Sequence, residues 1–223
     1  MRPQRRFPKP GWLALAVAIS CTTLSSTARA DVLLCSDLEL RYETSRRDST
    51  SIEINNLLFA AADNGCEALA RRLLEVGASL LARDREGNTP LGRAARAGTM
   101  ALAKLFIENG SDVNARNIQG STPLFLAVEA NRERLAQLLL NEGANVNFSG
   151  RAGVSPLAAA AYHGSSEIVE MLLARRADPN LKDTMGKTPI LYAAARGFSA
   201  IVVRLLATGI DVNTTYGNRL TVL

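Results

Sequence analysis

Few residues of this chain could do chemistry on their own. His163 is the single histidine in 223 residues, so a Cys/His dyad could use that residue alone, and a metal site built from several histidines is excluded. It stands just before Gly164, at the expected end of a helix, where a surface residue facing a partner is the simpler reading. Asp112, Asp178 and Asp211 recur with a common repeat, which assigns them to turn hydrogen bonds rather than to paired carboxylates in a cleft. The glycines follow the same structural beat, and none forms a phosphate-cradling loop. The inventory predicts no enzyme, no metal site and no cofactor.

Cysteine is the remaining reactive type, at Cys21, Cys35 and Cys66. Residues 1–30 read as a secretory signal peptide: Arg2, Arg5, Arg6 and Lys9 precede the apolar run Trp12 to Ile19, and Ala28-Arg29-Ala30 offers cleavage after Ala30. The apolar core is shorter than the roughly 20 residues a spanning helix needs, so no stable membrane span is expected. The compact layout is that of a bacterial export signal. Arg5-Arg6-Phe7 hints at a twin-arginine signal, but Pro8 and Lys9 stand where that motif wants apolar residues. Ala18-Ile19-Ser20-Cys21 is a weak lipobox with a poor first residue, so Cys21 is read as part of a discarded peptide rather than as a lipid anchor. Processing leaves Cys35 and Cys66. An even pair in an oxidising compartment suggests a disulfide; the alternative is two unlinked thiols, with Cys66 part of the packing.

Cleavage also changes the charge. The full chain carries a formal +5, but the signal holds five of the 26 basic residues and no acidic one, leaving 21 basic against 21 acidic. A near-neutral mature chain loses the electrostatic support that nucleic-acid binding needs.

The elements that position these residues repeat. Gly87-Asn88-Thr89-Pro90-Leu91 is followed at intervals of 33 by Gly120-Ser121-Thr122-Pro123-Leu124, Gly153-Val154-Ser155-Pro156-Leu157 and Gly186-Lys187-Thr188-Pro189-Ile190. Asn114, Asn147, Asn180 and Asn213 keep the same period, as do Gly65, Gly98, Asn131, Gly164 and Gly197, and Gly77, Gly110, Gly143, Arg176 and Gly209. Self-similarity at this interval marks a solenoid whose units bury their apolar faces only against neighbours. Within one unit, the threonine is an N-cap and the proline suits the first helical position. Small residues such as Ala94, Ala95 and Ala158 to Ala161 let first helices approach closely. Gly98 permits a left-handed turn, a second helix follows with Leu102, Leu105 and Phe106 on its apolar face, and Gly110 ends it.

This pattern closely resembles the ankyrin repeat, including its tail in Gly143-Ala144-Asn145-Val146-Asn147 and Ala177-Asp178-Pro179-Asn180. The resemblance covers residues 53–223. It implies an all-α fold, a solenoid of helix-turn-helix units joined by β-hairpin-like turns. The motif's histidine is replaced by Gly92, Phe125, Ala158 and Leu191, so the hydrogen bond that residue makes between neighbouring turns is expected to be missing, with apolar stacking carrying more of the stability. Asn131 tolerates positive φ easily, whereas Arg176 at a helix C-terminus should cost about 1 kcal/mol.

The expected organisation is a signal peptide (1–30), a leader and solvated linker (31–52), and repeats at 53–82, 83–115, 116–148, 149–181 and 182–214. The first repeat is degenerate, and its polar Glu67, Arg71, Arg72 and Glu75 suit a cap. Residues 215–223 begin a sixth unit, from which a longer natural protein or a fragmentary record is expected. Ankyrin partners commonly dock on the concave surface of turn tips and first helices. By that resemblance the tips are Arg85, Ile118, Arg151 and Met185, and the first-helix ends are Arg96, Glu129, Tyr162 and Arg196. The expected function is a non-enzymatic scaffold that binds a protein partner in the bacterial periplasm or outside the cell. The alternative is the ankyrin portion of a longer secreted effector or enzyme.

Overall fold

The computed structural model describes residues 26–45 and 49–210. The signal peptide up to residue 25, Cys21 with it, and the expected sixth unit lie outside the described residues. Among the described residues the regular structure is helical, with one short 3₁₀ turn at Arg151–Gly153 and no strand. None of these helices is long and apolar enough to cross a membrane.

Paired helices follow the 33-residue beat. The first helices are α2 (Ser51–Asn64), α4 (Pro90–Ala97), α6 (Pro123–Glu129), α8 (Pro156–His163) and α10 (Pro189–Ala195). Each is followed by a second helix: α3 (Glu67–Glu75), α5 (Met100–Glu108), α7 (Glu133–Asn141), α9 (Ser166–Ala174) and α11 (Ser199–Leu206). First helices stack on first helices to make an inner row, and second helices stack outside them. The starts are local: the hydroxyls of Thr89, Thr122 and Ser155 accept from the N–H groups of Gly92, Phe125 and Ala158 at 3.1, 3.3 and 3.1 Å, with proline next in line. The ends are local too, with Gly98 and Gly164 left-handed at φ 88° and 74°. Asn131 and Arg176 hold the same conformation at φ 53° and 62°. The core is one continuous column: Leu91, Leu124, Leu157 and Ile190 in the inner row, with Leu102, Leu135, Ile168 and Ile201 behind them, all buried.

Residues 31–45, in the expected leader, are helical. They belong to α1 (Ser26–Ser45), which packs on α2 and α3 through buried Leu38 and Tyr42. It thus covers the open side of the first repeat, the role the sequence assigned to that repeat's own polar residues. Arg72 does not face bare solvent there; it pairs with Glu43 and lies 5.2 Å over the Tyr42 ring. Cys35 and Cys66 are disulfide-bonded, with Cα atoms 5.4 Å apart, so α1 is tied to the first repeat. Closing a loop with a sequence separation of 31 removes about 3–4 kcal/mol of entropy from the unfolded chain.

The linker expected to run to residue 52 ends earlier, since Ser51 already belongs to α2. Thr50 and Glu53 make a capping box, the Thr50 N–H donating to Glu53 Oε2 at 2.8 Å and the Glu53 N–H to Thr50 Oγ1 at 3.3 Å. That box starts α2 well before Asn56, the place where the repeat pattern looks for Thr-Pro-Leu.

Polar links between units survive the loss of the motif's histidine. The Ile118 N–H donates to the Glu86 carbonyl at 3.1 Å, and the Thr184 N–H to the Ala152 carbonyl at 3.0 Å. Asn117 Nδ2 donates to Asn88 Oδ1 at 2.9 Å, while the Oδ1 atoms of Asn114 and Asn147 accept from the Asn145 and Asp178 N–H groups. Apolar stacking therefore does not act alone. The middle turn differs: Phe125, in the histidine place, is buried, and Gly150 stands where the other turns have Asp84, Asn117 or Asp183. A Cβ on Gly150 would overlap the Phe125 ring. A large ring and a missing side chain are thus a matched pair.

Two stability outcomes follow. Gly150→Asp alone should cost about 1–3 kcal/mol by overpacking, and Phe125→Ala in the same chain should recover part of it; additive losses in denaturant melts would refute the matched-pair account. Ser111 occupies the place of buried Ala78, Ala144 and Ala177, and its Oγ has no hydrogen-bond partner among the described residues. Ser111→Ala should raise the unfolding free energy by about 1 kcal/mol, measured in urea.

Candidate protein-interaction face

The turns between units are built from short-range polar chemistry. In the first well-formed turn the Gly87 N–H donates to the Asp84 carbonyl, which leaves Arg85 and Glu86 at the tip. Asp84 Oδ1 accepts from the N–H groups of Glu86 and Asn88, both at 2.8 Å. Asn117 and Asp183 repeat this, Asn117 toward Gln119 and Ser121, and Asp183 toward Met185 and Lys187. Each turn projects two residues away from the core, and the first helices stand beside them.

Seven of the eight predicted contact residues fall into two groups; Arg85 is exposed at its tip and makes no ion pair among the described residues. In the first group, Arg96 is half-buried and bound to Glu86 at 2.9 Å, and Ile118 is 77% exposed on the neighbouring tip. In the second, Glu129 pairs with Arg151 at 2.6 Å, and Tyr162 is 42% exposed beside them. The Arg196 guanidinium lies 4.9 Å over the Tyr162 ring. Met185 sits 71% exposed at the last described tip. In strict register Thr184 and Ala195 follow Arg151 and Tyr162; Met185 and Arg196 stand one place later, and both are nonetheless exposed.

Two further clusters escaped the sequence. Tyr192 meets Tyr162 edge to face, with centroids 5.9 Å apart, and His163 also meets Tyr162 edge to face at 5.2 Å. Tyr192 donates to Asp183 Oδ2, and Lys187 Nζ lies 5.7 Å over its ring. Burial and that hydrogen bond to a carboxylate push the phenol up to about 12, so it stays a neutral donor at any physiological pH. With Phe125, Val154 and Ala159 these rings line a depression of about 180 Å³. The signal was available. Arg93, Leu126, Ala159 and Tyr192 are 33 apart, and each lies one turn before a first-helix end, on the same helical face.

The second cluster is Arg93, on α4. Its Nε donates to Asp63 Oδ1 at 2.8 Å, and its Nη1 to Asp84 Oδ2 at 3.1 Å, bridging the end of α2 to the first turn. Hydrogen bonding to Asp63, against some desolvation, raises its pKa further. Burial pushes the Asp84 carboxyl up, but hydrogen bonds from Asn88, Arg93 and Glu86 outweigh it and hold the group below its ordinary value. No group of His, Cys, Asp and Glu among the described residues could hold a metal ion.

The pattern that defines the family "Ankyrin repeats (3 copies)" matches this chain at residues 24–117, 57–150, 91–183 and 147–216. The chain belongs to the ankyrin-repeat family. Ankyrin repeats are generally protein-interaction modules and are typically not enzymatic. No curated protein matches the chain.

A pH dependence follows from Asp84. Because its folded pKa is depressed, its contribution is complete above the unfolded carboxylate value near 3.9 and is lost as pH falls through the lower folded value. Asp84→Asn should therefore lower stability by about 1–2 kcal/mol at pH 7. The gap between parent and variant should close as pH falls below about 4, as read from urea melts across pH 2.5–7. A gap that persists at the acid end would reject the assignment.

Proposed function

We propose that the chain is an exported, non-enzymatic scaffold that holds a protein partner on its tip and first-helix face, in the bacterial periplasm or outside the cell. The observation that carries the binding is the aromatic and cationic cluster of Tyr162, Tyr192, Arg196 and Lys187 around an open depression. Tyrosine and arginine are the types that dominate interface energetics. A surface set on stacked helices loses little ordering entropy when a partner docks. Export is supported by the signal-peptide layout of residues 1–30 and by the Cys35–Cys66 bond, which belongs to an oxidising compartment.

Immobilised on a resin and exposed to an envelope extract, the parent chain is expected to retain a protein that its Arg96→Ala, Tyr162→Ala double variant releases, with an unchanged thermal midpoint. Both side chains are partly exposed, so the fold should not depend on them. Retention by the double variant would move the binding site elsewhere on the solenoid.

A further inference from the structure

The tip and first-helix face is electrically one-sided, although the mature chain as expected from the sequence is near neutral. Asp63 and Asp84 hold Arg93, Glu86 holds Arg96 and Glu129 holds Arg151, whereas Asp183 accepts the neutral Tyr192 hydroxyl and keeps its charge. The remaining cations outnumber it. Arg85, Arg116, Lys182, Lys187 and Arg196 are exposed and make no ion pair among the described residues. Three of them are parked over rings: Arg116 over Phe148 at 4.3 Å, Lys187 over Tyr192 and Arg196 over Tyr162. Among the outer helices, α5 carries Lys104 with Glu108 and α7 carries Glu133 with Arg134, while α9 carries Glu167 and Glu170, the latter paired with Arg204 of α11. An excess of positive charge on one face acts as a field on an approaching partner even when the net charge is small.

The depression sets the second half of the ligand's chemistry. Its volume of about 180 Å³ is below the 300–1,000 Å³ or so of small-molecule pockets, which gives room for one side chain. Phe125, Val154, Ala159, Tyr162 and Tyr192 give it an apolar and aromatic lining, with His163 and the mutually paired Glu129 and Arg151 completing the wall. A cation already lies over each tyrosine ring, and the two rings meet edge to face rather than as the parallel platforms on which successive bases of a single strand stack.

Resting on the reading of this face as a protein-binding surface, we propose that its occupant is an extended acidic peptide segment that inserts one aromatic or large aliphatic side chain between Phe125, Tyr162 and Tyr192. Its flanking carboxylates pair with Lys187 and Arg196 on one side and reach toward Arg116 and Arg85 along the tips. Aspartate and glutamate would take the guanidinium and ammonium groups from their rings as charge-assisted hydrogen bonds.

The test is selection of a displayed library of random dodecapeptides on the full chain, run in parallel on Lys187→Ser, Arg196→Ser and on Tyr162→Ala. None of these residues makes an ion pair among the described residues, so the variants should fold as the parent does, which circular dichroism checks. The expected result is enrichment of Asp and Glu around a single aromatic or aliphatic residue. The best selected peptide should bind the charge variant at least about tenfold more weakly, and weaken on the parent between about 50 and 300 mM salt. Sequences without an acidic excess that still disappear on Tyr162→Ala overturn the acidic partner and leave the binding face standing. The same sequences from all three proteins, or none from any, overturn both. A single-stranded thymidine oligonucleotide that binds more tightly than the best peptide overturns the proposal in favour of a polyanion surface.

Discussion

No unit of this solenoid can bury its apolar side alone, and that constraint governs everything else. The inner helices are 7 or 8 residues long in the well-formed units, well under the roughly 12–15 residues at which an isolated helix becomes marginal in water. They exist because Leu91, Leu124, Leu157 and Ile190 each pack between neighbours, with alanines allowing close approach. Stability is therefore a sum over contacts between adjacent units, and each end of the stack is a problem to be solved. At one end α1 solves it, buried through Leu38 and Tyr42 and tied by Cys35–Cys66.

Stacking leaves the turns to find their own hydrogen bonds. Asp84, Asn117 and Asp183 satisfy the N–H groups of their own turns, and the tips of adjacent turns are linked through backbone groups. Where a turn loses its acceptor side chain, at Gly150, the freed volume is filled by Phe125 and the Arg151 N–H turns to Ser121 Oγ at 3.2 Å. A repeat can thus abandon one consensus residue when its neighbour abandons another.

That same exchange shapes the binding surface. Phe125 reaches the wall of the depression because Gly150 makes room, and Tyr192 reaches it because Asp183, already needed in its turn, also accepts the phenol. Arg93 spends its charge on Asp63 and Asp84, joining units rather than facing a partner. Residues of one chemical type thus divide into those that hold the stack and those left for recognition, according to which carboxylate lies within reach.

The repeat, its helix starts at Thr89, Thr122 and Ser155, and its positive-φ positions at Gly98, Asn131 and Arg176 were legible from the chain alone, because each is a local rule repeated at a fixed interval. Six of the eight tip and helix-end residues keep that interval, as places rather than as partners, while Met185 and Arg196 stand one place off it. The early start of α2 was also local, in Thr50 and Glu53, and was obscured only because the repeat pattern looks for Thr-Pro-Leu further on. What only the tertiary structure decided is everything that depends on contacts across units: the packing of α1, the union of Phe125 with Gly150, the meeting of Tyr162 with Tyr192, and which arginines stay unpaired. Those pairs lie about 20–40 residues apart; sequence spacing gives each residue its face, but only the stack brings two faces within a few ångströms.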